Sequence, residues 1–139
     1  MKQTKQEQGF TLIELIMVIV IMGILSAVVV PKFFNLEERT HDKVEESVIG
    51  NIQAGLMLYS VDNMASTGKK AFPTVGLAVM DSVLDEIPEN WSYNIGSTVG
   101  SFQYAGRVPT VYWSYSTSGG SSGNKKYTIG TKTTTDPSN

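Results

Sequence analysis

Cysteine is absent from the 139 residues, and histidine occurs once, at His41. Without cysteine there is no disulfide, no thiolate nucleophile and no zinc site built on sulfur. GxSxG, HExxH and phosphate-loop patterns are missing as well. The lone His41 lies in THDKVEE, a charged stretch that sets it on a solvated helix face. A basic excess is also lacking: 11 Lys and Arg face 13 Asp and Glu, for a net charge of −2. A sequence-independent grip on phosphates needs surplus cations, so no specific nucleic-acid partner is expected. Asp81, Asp85, Glu86 and Glu89 cluster in sequence but lack calcium-loop spacing, and read as the solvated face of a short helix. The expectation is a chain with no catalytic residue, no metal and no cofactor.

What the chain does have is one long apolar run, GFTLIELIMVIVIMGILSAVVVP, at residues 9–31. Over residues 10–30 the only polar side chains are Thr11, Glu14 and Ser26. A helix of that length spans roughly 30 Å, the thickness of a bilayer's hydrocarbon core. Lys2 and Lys5 precede the run and mark its cytoplasmic side. Glu14 is the anomaly, because a carboxylate in hydrocarbon costs about 3 kcal/mol on insertion scales. Cutting the chain between Gly9 and Phe10 would create an α-amino cation one turn from Glu14, the obvious partner. Two simpler readings stand beside this: a secretory signal peptide cut near residues 25–27, and a plain single-pass anchor in which Glu14 is tolerated.

The stretch GFTLIEL followed by an apolar run resembles the class III signal of type IV pilins and their relatives, over residues 1–60 in detail and beyond that in architecture. The resemblance implies that a prepilin peptidase cleaves after Gly9 and methylates the amine of Phe10 to N-methylphenylalanine. It implies that Glu14 pairs with the Phe10 amine of a neighbouring subunit during assembly, and that Gly23 and Pro31 loosen the helix. Cleavage would remove Lys2, Lys5 and Glu7, leaving a mildly acidic chain. The stretch VPKFFNLEERT is also similar to mannose-sensitive haemagglutinin-type pilins.

Past Pro31 the pattern becomes amphipathic. Val44, Val48, Ile52 and Leu56 recur four apart, joined by Ile49 and Tyr59, with Glu37, Glu38, Arg39, Asp42, Lys43, Glu45 and Glu46 on the other faces. One helix is therefore expected from about residue 10 to about residue 64, closed by Ser66, Thr67 and Gly68. Pro31 removes a backbone donor, and Gly23 and Ser26 weaken the turns before it, so residues 23–31 form the least secure part of the rod. Leu77, Met80, Leu84 and Ile87 suggest a second, shorter helix ended by Pro88. The runs WSYNI, SFQYA, PTVYWSYS and KKYTIGTKT then read as strands of an antiparallel meander. STSGGSSGN (residues 116–124) and the tail TTTDPSN lack apolar residues and are expected to be exposed and mobile.

The expected class is α+β with a type IV pilin fold, a long amino-terminal helix whose apolar half protrudes and whose other half packs on three or four antiparallel strands. Its divisions would be a cleaved leader (1–9), an apolar transmembrane or filament-core helix (10–30), an amphipathic continuation (31–66) and a head (67–139) with a connecting loop (67–90) and a sheet (91–133). The resemblance implies a major pilin that polymerises with its own kind into a surface filament for adhesion or motility. Its partners would be the prepilin peptidase, the inner-membrane assembly platform and, before assembly, the membrane, with the amino terminus cytoplasmic. The alternatives are a pseudopilin of type II secretion and a membrane-anchored binding protein that never polymerises. Pseudopilins commonly carry a calcium site near the carboxyl end, and Asp136 is the one acidic residue after Glu89, which favours the pilin.

Overall fold

A computed structural model describes residues 9–118 and 126–139. The chain divides into two compact units, Met1–Thr40 and His41–Asn139. Helix α1, Leu12–Thr67, contributes to both. From Leu15 to Val30 the helix carries one polar side chain, Ser26, and each of residues 9–33 is exposed. Leu12, Met22 and Ile24 are 76%, 64% and 64% accessible. No face of it is spent on a core, which is the condition of a helix whose solvent is lipid or other helices. The helix is unbroken through Pro31.

In the second unit α1 becomes one-sided. Val48, Ile52 and Leu56 are buried, with Ile49 packed against them, so the four-residue spacing of the sequence becomes the core stripe. Val44 begins that stripe in sequence but stays 38% exposed. The helix stops where Gly68 adopts φ +72° and its amide bonds back to the Met64 carbonyl, the left-handed ending that glycine permits. α2, Val79–Val83, is a single turn that buries Val79 and Met80. The longer helix suggested by Leu77, Met80, Leu84 and Ile87 does not form. Leu84 is already extended at φ −123°, ψ 140°, and Leu77 and Ile87 face solvent. Ile87 precedes Pro88, which disfavours helical geometry there. On the other side, Tyr115 donates its hydroxyl to the Pro73 carbonyl and Tyr93 donates to that of Val75, holding the segment as a loop.

Four strands follow: β1 Trp91–Asn94, β2 Gly100–Tyr104, β3 Val111–Ser118 and β4 Lys126–Ile129. They pair antiparallel in the order β1-β2-β3-β4, the expected meander. The register sets Trp91 opposite Tyr104, Phe102 opposite Trp113 and Tyr115 opposite Ile129, so one face is largely aromatic. Trp91 stacks on Tyr104 and on Trp113 with ring centroids 5.1 and 5.3 Å away. These side chains and the α1 stripe form one core. After β4, Thr133 bridges back to Tyr112. Of the hydroxyl-rich loop, Ser116 to Ser118 continue β3 and 119–124 lie outside the described residues.

The tail departs from expectation. Asp136 accepts hydrogen bonds from Asn94 Nδ2 (2.8 Å), Ser101 Oγ (2.7 Å) and the Ser138 amide (2.9 Å) and hydroxyl (2.6 Å). Ser101 is fully buried. A tail without apolar residues is therefore pinned to β1 and β2 by one carboxylate, a polar anchor that hydropathy does not register.

Candidate functional site

The residues singled out by the apolar run lie at the start of α1. Gly9 and Phe10 precede the helix in irregular backbone, and Phe10 is 93% accessible. Thr11 and Glu14 then close the first turn on each other. The Thr11 amide and hydroxyl both donate to Glu14 Oε2, at 2.8 and 2.7 Å, and the Glu14 amide approaches Thr11 Oγ1 at 3.4 Å. This is a reciprocal capping box, a Thr followed three residues later by a Glu. The pattern TLIE carries that signal in the sequence, beside the charge of Glu14. Phe10 and Glu14 border one recess with Leu15, Met17 and Val18. Gly23 and Pro31 lie farther along α1, Gly23 with open space around it.

A second polar constellation lies in the head and was not anticipated. Glu45, assigned by pattern to the solvated side of α1, is only 3% exposed. Its two oxygens accept from Arg107 Nη1 at 3.1 Å and Lys132 Nζ at 2.8 Å, and the same cations reach Asp42 Oδ1 at 3.1 and 3.0 Å. Two carboxylates of α1 thereby hold the β2–β3 loop and the segment after β4. Lys132 holds the Asp42 carboxyl below the usual aspartate range. The bonds to Glu45 and Asp42 raise both Arg107 and Lys132. His41, expected in solvent, is half-buried with Nδ1 2.9 Å from the Tyr104 hydroxyl. Burial raises the Tyr104 hydroxyl, and Glu45 adds to that. These groups balance in charge and are spent on one another, which suits an internal tie.

Asp81, Asp85, Glu86 and Glu89 lie in and after α2 and are exposed. Among the described residues, no three His, Asp or Glu side chains are placed so that they could hold a metal ion together.

The family model for the prokaryotic N-terminal methylation motif matches residues 4–30, the segment that holds Gly9, Phe10 and Glu14. The type II secretion system core protein G of Aeromonas hydrophila is 32% identical, covering 80% of this chain and 71% of that protein. The type IV wide pilus major component PilA4 of Thermus thermophilus is 31% identical over 67% of this chain and 66% of that one. Core protein G of Pseudomonas aeruginosa is 43% identical over 45% of this chain, and the match spans 44% of its length. No solved structure matches the chain. With the methylation motif, the single apolar helix and the helix-on-meander head together, the chain belongs to the family of type IV pilins and type II secretion pseudopilins.

Proposed function

We propose that this chain is a structural subunit that polymerises through its amino-terminal helix, and that the product is a type IV pilus of which it is the major component. The observation that carries the reading is the start of α1: an exposed Gly9–Phe10 junction, with a carboxylate at Glu14, heading an apolar stretch through residue 33 in which no side chain is buried. Prepilin peptidase would cut after Gly9 and methylate the Phe10 amine. The subunit would wait in the inner membrane, amino terminus cytoplasmic, until the assembly platform extracts it. In the filament the Phe10 amine of one copy would meet Glu14 of the next, and residues 23–31 would give up helical bonding that the isolated chain retains.

The similarity to core protein G supports a second reading, a pseudopilin acting in secretion. Favouring the pilus is the use of Asp136, the one acidic residue after Glu89, as an internal anchor to Asn94 and Ser101. Shearing cells and identifying the filament subunit by mass separates the two. The pilus reading expects abundant filaments of a chain that begins at methylated Phe10, and a map of them should show loosened helix at 23–31. Loss of protein secretion on deletion, with no sheared filaments, would replace it with the pseudopilin.

A further inference from the structure

The head carries an apolar cleft beside its core, which reaches it only through the half-buried Val83 and Leu84. Leu58 and Val61 of α1 are 73% and 63% exposed, on the side of the helix away from Val48, Ile52 and Leu56. Together with Leu84 they floor a cleft of about 540 Å³. Asp62, Asp81 and Asp85 line it as well. None of these three carboxylates forms an ion pair among the described residues. Oily ground ringed by unneutralised negative charge suits an apolar segment flanked by cations.

The same chain has such a segment. Phe33 and Leu36 are 66% and 60% exposed, and Lys32 and Arg39 beside them are exposed as well. At 100° per residue, these four side chains fall within an arc of about 120° on α1, while Glu37 and Glu38 fall outside it. Neither Lys32 nor Arg39 is ion-paired among the described residues. We propose that residues 32–39 of one copy dock in the cleft of Leu58, Val61 and Leu84 on a second copy. Phe33 and Leu36 then bury against the floor while Lys32 and Arg39 meet Asp62, Asp81 and Asp85. Because the two patches are different surfaces of one chain, the contact is heterologous. Each bound pair keeps one free patch of each kind, so the association propagates instead of closing as a dimer.

The inference rests on the polymerising reading above and gives it a residue-level contact in the head. The test uses the full chain in cells, helped by the lack of native cysteine. Leu36→Cys with Val61→Cys in one chain, oxidised on the cell surface, should give a ladder of multimers, and each single variant should give none. Asp81→Lys with Asp85→Lys should cut sheared filament by about tenfold or more through like-charge contact, and adding Lys32→Glu with Arg39→Glu should restore it. Filaments that assemble without a ladder would overturn the contact and leave the assembly reading standing. Loss without rescue, or a cross-link to a different protein, would overturn it equally. Absence of filaments from the unmodified chain would remove both.

Discussion

Asp136 shows how a single polar side chain can pin a tail that has no apolar residue. Burial works against its charge, yet the bonds from Ser101, Ser138 and Asn94 together hold its carboxyl below the usual aspartate range. A depressed folded-state value means stabilisation that is present above the unfolded value, near pH 4, and lost as the pH falls through the folded one. Asp136→Asn keeps one oxygen for Ser101 and Ser138 but turns an amide donor toward the Asn94 Nδ2 donor, a cost of about 1–3 kcal/mol. The variant should therefore melt below the parent chain at pH 7, in detergent, and the gap should narrow as the pH is lowered from about 5 toward 2. A gap of constant size would show that the anchor works by shape and not by charge. Glu45 makes the complementary point about burial. Its carboxylate costs desolvation energy that Arg107 and Lys132 offset, and both cations keep some solvent and Asp42 besides.

At the scale of elements, the contact of α1 with the end of α2 depends on Gly55. A Cβ there would clash with the Val83 carbonyl oxygen, which is backbone and cannot swing aside. In an open helix, Gly to Ala gains up to about 1 kcal/mol. Here overpacking costs about 1–3 kcal/mol, so the clash wins. Gly55→Ala should lower the denaturation midpoint, whereas Gly50→Ala, with open space around it, should not. Equal effects of the two changes would show that α2 yields freely. The elements themselves were largely legible. Aromatic and β-branched runs parted by Gly, Ser and Asn became four strands in sequence order, and the spacing at Val48, Ile52 and Leu56 became the core stripe. What escaped were features that local pattern cannot carry. Glu45 breaks the apolar stripe, and the partners that justify it lie 62 and 87 residues away. Asp136 meets Ser101 across 35 residues. The second helix stays one turn long because Leu84 is already extended and Pro88 disfavours helix at Ile87, while tyrosine bonds to Pro73 and Val75 hold the preceding segment as a loop.

For the molecule as a whole, the question is what Glu14 is for. Two accounts fit its position. In the first, Glu14 is a helix cap: it takes the Thr11 amide and hydroxyl and helps α1 begin where the chain leaves the Gly9–Phe10 junction. In the second, its charge draws a subunit into a filament by pairing with the Phe10 amine that cleavage creates. A capping box works with Gln as well as Glu at this position. An ion pair does not, because an amide offers the amine no opposite charge, and the cation's desolvation is then unrelieved. Glu14→Gln thus keeps the cap and removes the charge. Cleavage after Gly9 should continue, since the junction and the start of α1 are unchanged, and intact mass should show a chain beginning at Phe10. If charge drives assembly, sheared filaments from cells with only this variant should fall by about tenfold or more, the loss expected when a close ion pair worth over 1.4 kcal/mol is removed. Filaments at the parent level, with processing confirmed, would assign Glu14 to the cap and leave the entry of subunits to be explained by apolar packing of residues 10–30.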